Sequence, residues 1–246
     1  MTTSRTSGGD PARTLELLWR EPRTARRGPA PRLDIDAVVD GAIAIADEHG
    51  LDAVSMRVLA ERLGVSAMTL YGYVPGKQEL LDLMLDALYL EMPREPWPRR
   101  QGWRPRLRAV AEANRALYAA HPWAAEVSTA RPPLGPGLIG KYDHELGALD
   151  GLGLSDVEMD AALTFVLAFV QGVAASADEP ADDEEWWAEA GPLLARVITP
   201  EQYPLASRVG SAAGEAQGAA YDAGNAYAFG LERVLDGIEP LIAGGA

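Results

Sequence analysis

"SMRVLAERLGVSAMTLYGYVPGK", residues 55–77, decides how the rest of the chain is read. Ser55 is a residue type that caps helix N-termini, and Gly64 suits the left-handed residue that ends one, so Met56–Leu63 is predicted as a short helix. Ser66 caps a second, predicted to run to about Tyr73 and to stop ahead of Pro75, because the residue before a proline avoids helical backbone. Ala60 is small where the two helices cross, and Leu59, Leu63, Val65 and Leu70 supply the apolar contact between them. Two short helices joined this way form a helix-turn-helix, whose second helix enters the major groove of DNA. A plain helical corner in a bundle shows the same spacing.

The flanking sequence is helical throughout. Asp34 opens a helix whose apolar residues Ile35, Val38, Val39, Ala42, Ile43 and Ala46 recur at three-and-four spacing, and Gly50 closes it. Lys77 begins another, ended by Pro93, Pro96 and Pro98. Further helices are predicted at 14–20, 103–120, 137–150, 155–177 and 223–243. That at 155–177 opens with a capping box, Ser155 and Glu158. The acidic, proline-broken stretch 178–204 reads as one helix and a mobile loop, with Asp182–Glu185 a solvated run. Nothing alternates with period two for long enough to make a strand, so the fold class is all-α. Residues 161–177 are apolar but short for a membrane span, carry Gln171 and are flanked by acids; a helix buried on most sides is expected.

Charge divides the chain. Residues 1–77 hold 10 basic and 10 acidic side chains, whereas residues 78–246 hold 12 and 26, which accounts for the net charge of −14. Between residues 20 and 32, Arg20, Arg23, Arg26, Arg27 and Arg32 face only Glu21. Such a basic arm ahead of a neutral segment suits contact with an anion; a solvated tether is the other reading. Cysteine is absent, which removes disulfides, thiolate metal sites and cysteine nucleophiles. The histidines, 49, 121 and 144, form no pair at metal-ligand spacing, and none of the motifs GxGxxG, GxxxxGK[ST], HExxH or GxSxG occurs. The first residues lack the apolar core of a secretory leader. No enzyme activity, cofactor or metal is expected, and the protein is expected to be cytoplasmic.

The run L-Y-x-[HY]-[VF]-x-x-K-x-x-L at residues 70–80 extends this reading. Residues 35–90 resemble the N-terminal domain of TetR-family transcriptional repressors. "HPWAAEVSTARPPLGPG" (121–137) and "AYAFGLERVLDGIEPLI" (226–242) are similar to the C-terminal domain of the tetracycline-repressor subgroup. With the basic arm that the charge assigns to residues 1–33, the resemblance implies a three-helix DNA-binding domain over 34–80 and a helical ligand-binding and dimerisation bundle over 81–246. It also implies a homodimer that binds palindromic operator DNA and is released by a small-molecule effector. Paired helices 155–177 and 223–243 are the expected dimer contact. The other class these residues allow is an all-α small-molecule-binding or scaffolding protein without DNA binding.

Family roles map onto this sequence as follows. Arg57 reaches a base edge; Ala67, Met68, Thr69, Tyr71 and Tyr73 face the groove; Ser66 and Lys77 hold phosphates. Apart from those roles, the arm's own charge makes Arg26 and Arg27 its expected contacts with DNA. The third helix of the head has no Asn, Gln, Lys or Arg, so it offers no bidentate base contact. Trp103, Tyr118, Trp123, His144, Phe165 and Phe169 are the candidates to line an effector pocket. Ser128 stands where tetracycline-binding members carry a magnesium-holding histidine, so a magnesium–tetracycline complex is not the expected ligand. The effector is expected to act by moving helix 77–91. Deleting residues 1–32 should weaken operator binding and flatten its dependence on salt; an unchanged slope in a binding titration would leave the arm a tether.

Overall fold

The computed structural model describes residues 9–20, 33–98, 100–127, 131–176, 183–217 and 223–244. Every regular element among them is helical: α1 (Pro11–Leu18), α2 (Ile35–His49), α3 (Met56–Leu63), α4 (Ala67–Tyr71), α5 (Lys77–Glu91), α6 (Trp103–Ala120), α7 (Pro136–Leu146), α8 (Asp156–Ser176), α9 (Asp183–Val197), α10 (Pro204–Gln217) and α11 (Ala223–Gly244), with 3-10 turns at Leu51–Ala53 and Pro122–Ala124.

Capping fixes the head. The Asp34 carboxylate accepts the Ala37 amide at 2.9 Å, Ser55 Oγ accepts Val58 N at 3.3 Å, and Ser66 Oγ accepts Thr69 N at 3.2 Å. Each satisfies a donor that the first helical turn leaves unpaired. Gly64 closes α3 in the left-handed region at φ 66°, a conformation that costs a residue with a side chain. Val38, Ala42, Ile45, Leu59, Leu70 and Val74 then bury completely where α2, α3 and α4 converge.

The body is built on α5, which packs against α2 of the head and against α7. Asp86, buried on α5, accepts the amides of Gly137 and Leu138 at 3.1 and 2.9 Å and so caps α7 from another helix. Burial pushes its carboxyl above the usual range, and the two amides pull it back down. Helix α6 lies on α8, and α8 on α11. Arg104 holds α11 through Asp236 and Glu239 at 2.6 and 2.9 Å, and Arg108 pairs with Glu232.

Several elements differ from the expectation. Helix α4 stops at Tyr71, two residues early, because Gly72 and Tyr73 turn on i−3 hydrogen bonds. Helix α7 ends at Leu146 rather than near 150, since Ala148 and Leu149 also bond three residues back and Gly151 takes φ 74°. Helix α9 begins inside the acidic run and continues through Pro192, and Pro204–Gln217 forms α10, a stretch for which no helix was predicted. The first helix is shifted to Pro11–Leu18 by the Asp10 cap. It is docked: Thr14 and Leu18 are buried, Trp19 Nε1 donates to Leu134 O at 2.7 Å, and Arg20 pairs with Asp36.

The apolar stretch 161–177 is also corrected. Helix α8 is long and apolar enough to cross a membrane by length and composition. Only Ala162, Leu163, Val166 and Val170 are buried, on the stripe facing α6 and α11; Phe165 remains 53% exposed. Gln171, the polar residue in the stretch, donates to the carbonyls of Ala125 and Val127 at 3.0 Å each.

The contact of α7 with α5 is close because Gly137 has no side chain. A Cβ there would lie 2.0 Å from the Asp86 carbonyl oxygen, whereas one at Gly140 would meet only the end of the Arg94 side chain at 3.3 Å. Gly137→Ala should therefore destabilise the fold by about 1–3 kcal/mol or more, and Gly140→Ala by much less. Denaturant unfolding of the two variants measures the difference.

Candidate nucleic-acid interface and body cavity

Leu70 is the pin of the reading helix: its complete burial turns the other side of α4 outward. Met68 is 79% exposed and Tyr71 47% exposed, and Thr69 stands in solvent beside them. Arg57 projects from α3 and reaches only Glu61 one turn on, at 2.9 Å. An exposed pair at that spacing is worth about 0.3–0.5 kcal/mol, too little to keep the guanidinium from a better acceptor. Met68, Thr69 and Tyr71 are the solvent-facing side chains of α4, and Arg57 is a solvent-facing cation of α3.

The other expected contacts are placed differently. Ala67 is half-buried against the head core. Ser66 is occupied as a cap, its hydroxyl also 2.9 Å from Thr69 Oγ1. Tyr73, past the end of α4, is partly buried, and its hydroxyl donates to Leu33 O at 3.2 Å, so it braces the entry to α2 instead of facing a groove. Lys77 Nζ donates to Leu51 O at 3.2 Å. Gly72 has ordinary right-handed backbone, φ −72°, and a Cβ there would lie 3.2 Å from Thr69 O. Arg26, Arg27 and Ser128 lie outside the described residues. Because α1 is docked, deleting residues 1–32 would also strip Thr14 and Leu18 from the core; neutralising Arg23, Arg26 and Arg27 is the cleaner test of the arm.

A cavity of about 450 Å³ opens in the body, walled by the α5–α6 connection, α6 and α7. Trp97 and His144 form one wall, stacked with centroids 4.7 Å apart and planes 15° from parallel, and Trp97 Nε1 donates to His144 O at 2.9 Å. At the cavity edge three buried polar side chains bond one another, with the Asn114 Oδ1 left without a partner. Lys141 Nζ bonds Glu145 Oε2 at 2.7 Å, and Asn114 Nδ2 donates to Glu145 Oε1 at 2.7 Å and to Val110 O at 2.9 Å. Arg94 donates to Tyr89 O and Gly137 O.

Of the six aromatic candidates only His144 lines this space. Tyr118 is buried, its hydroxyl pushed up to about 12 by burial and then by Glu145. Trp123 is core and Trp103 lies under Arg104; Phe165 is exposed, and Phe169 stacks on Tyr227 and fills the gap over Gly230. Sequence reasoning missed Trp97, Lys141, Glu145 and Asn114. The signal for Trp97 was its place in "PREPWPRR" (93–100), where prolines forbid a helix and an aromatic has no core stripe to join. Among the described residues no group of three or more His, Asp or Glu side chains is placed to hold a metal ion.

Comparisons with known proteins identify the family. Residues 38–84 match the model of bacterial regulatory proteins, tetR family, and residues 95–242 match the tetracyclin repressor-like C-terminal domain. The chain belongs to the TetR family. It is 40% identical to the HTH-type transcriptional repressor DrrR1 of Streptomyces coeruleorubidus, across 98% of this chain and 90% of that one. It is 29% identical to the class A tetracycline repressor of Escherichia coli, across 84% and 91%. The structure of ActR from Streptomyces coelicolor in complex with actinorhodin superposes with a TM-score of 0.72 at 29% identity, covering 87% of this chain and 97% of ActR. The family is one of DNA-binding regulators, not of enzymes, and its N-terminal domain here is the head that carries α3 and α4.

His144 gives the cavity a pH signature. Burial first, and Arg94 with it, push the imidazole below its ordinary range, against Glu145 and Asp143. The unfolded chain therefore binds the proton at higher pH than the folded one, and stability falls as pH drops below the unfolded value of about 6.5. His144→Phe keeps a ring on Trp97 and removes the proton, so its melting temperature should fall less between pH 7.5 and 5.5 than that of the parent.

Proposed function

We propose that this TetR-family protein is a cytoplasmic homodimeric repressor that binds a palindromic operator through α4 and is released when a planar, largely apolar effector enters the body cavity. The observation that carries the DNA contact is the outward face of α4: a buried Leu70 beneath exposed Met68, Thr69 and Tyr71, with an exposed Arg57 on the preceding helix α3. Met68 and the Tyr71 ring offer apolar contact to thymine methyls and sugars, and Arg57 offers the guanidinium that pairs with guanine O6 and N7. Lys77, the first residue of α5, and Ser66 are the phosphate contacts in this reading.

Dimerisation is supported by the side of α8 and α11 that the subunit leaves uncovered. Ala161, Phe165, Ala168 and Gly172 form an exposed stripe on α8, and Phe229, Gly237 and Leu241 one on α11. A Cβ on Gly172 or Gly237 would meet nothing within 4 Å inside the subunit. Mid-helix glycine costs about 1 kcal/mol relative to alanine, so each glycine points to close approach by something else, and a second copy supplies it. Pairing these helices gives the four-helix contact that sets two copies of α4 about 34–36 Å apart. Phe169, Gly230 and Val234 do not belong to that contact; they pack within the subunit.

The stacked Trp97 and His144 favour a flat aromatic effector, in keeping with the actinorhodin bound by ActR. An operator-bound dimer released this way loses roughly 5–150-fold in affinity.

Fluorescence anisotropy against the DNA upstream of the protein's own gene tests the reading. Arg57→Ala and Tyr71→Ala should each weaken binding by about 1–3 kcal/mol, roughly fivefold or more; unaltered affinity in both variants removes α4 and its neighbour from the contact. Gly172→Leu should shift the protein toward monomer in sedimentation and weaken DNA binding with it.

A further inference from the structure

We infer that Asp47 is the positioning residue through which the state of the cavity reaches the reading head. The inference rests on the effector-cavity reading above and names its route. Helix α6 walls the cavity with Val110 and Ala113 and ends about two turns later at His121, where the chain folds into the 3-10 turn Pro122–Ala124. Two donors from that end of the body converge on one oxygen of the head: His121 Nδ1 lies 2.8 Å and Trp123 Nε1 2.7 Å from Asp47 Oδ1, in the last turns of α2. A carboxylate only accepts, so the imidazole holds its proton on Nδ1.

The next residue continues the chain. Glu48 takes both terminal nitrogens of Arg62 on α3, at 2.8 and 2.7 Å, in a bidentate pair. Helix α3 packs on α4. Successive carboxylates on α2 therefore connect the cavity wall to the helix-turn-helix without passing through α5. Trp123 is 2% exposed and cannot swing to another partner, so a displacement of α6 is delivered to Asp47 directly. The expected route, movement of helix 77–91, is separate: α5 is tied to α7 through Asp86.

Hydrogen exchange of the full-length protein tests the route without a known effector or operator. Ala113→Trp places an indole in the cavity as a built-in occupant. With Asp47 intact, it should change amide exchange across residues 56–71 by about fivefold or more. In the Ala113→Trp, Asp47→Ala double variant, compared with Asp47→Ala alone, that change should vanish. Trp123→Phe, which deletes one donor and keeps a ring in place, should cut it likewise. Should Ala113→Trp fail to fold, Ala109→Trp on the cavity's exposed edge takes its place. The same exchange change with and without Asp47, or no change in either background, overturns the inference; a purely structural Asp47 would lower the melting temperature but leave the difference intact. Failure of planar aromatic ligands or of DNA to bind would count against the proposed function and leave this comparison readable.

Discussion

A carboxylate buried in an apolar helix has to find donors, and Asp86 finds them outside its own helix. Its two oxygens take the amides that open α7, so the largely buried helix α5 and the body's cavity wall are joined at a fixed point. Everything else is arranged about that join. Along α5 every side chain from Glu79 to Asp86 is buried, because α2 covers one side, α7 another and α1 a third. A helix enclosed in this way belongs to the head and to the body at once, and the two cannot reorient without disturbing it. Gly137 records how close the approach is.

Charge follows the same division. The acidic surplus sits in the body, away from the reading face, and part of it holds helices together: Asp236, Glu239 and Glu232 clasp Arg104 and Arg108 of α6. The head stays near neutrality, with Glu48 and Glu61 satisfied locally by arginines. That leaves a duplex with little repulsion to overcome at the one surface proposed to meet it.

What could be read from the sequence was what local chemistry writes. Ser55, Gly64 and Ser66 each act on residues at most four positions away, and the helix-turn-helix they delimit was legible to within two residues. Contacts spanning longer separations were not. Trp19 meets Leu134 across 115 residues, Trp97 meets His144 across 47, and Asn114 meets Glu145 across 31. No periodicity carries such pairings, so the docking of α1 and nearly all of the cavity escaped. Aromatic residues misled for the same reason: Tyr118, Trp123 and Phe169 have the composition of a pocket and the surroundings of a core. The Ala- and Gly-rich stretch of α10 offers so little pattern that a helix there could not be told from a loop.

The face of α4 has one more implication. Its exposed thioether and phenol ring carry no amide or guanidinium to read hydrogen-bonding edges, so on the proposed contact it senses methyl groups in the groove. Such a reader distinguishes thymine from cytosine mainly by the C5 substituent. Epigenetic methylation of cytosine in an operator would then be felt as a change of letter, and deoxyuridine in place of thymine would erase one; affinities for duplexes synthesised with either base measure how far this extends.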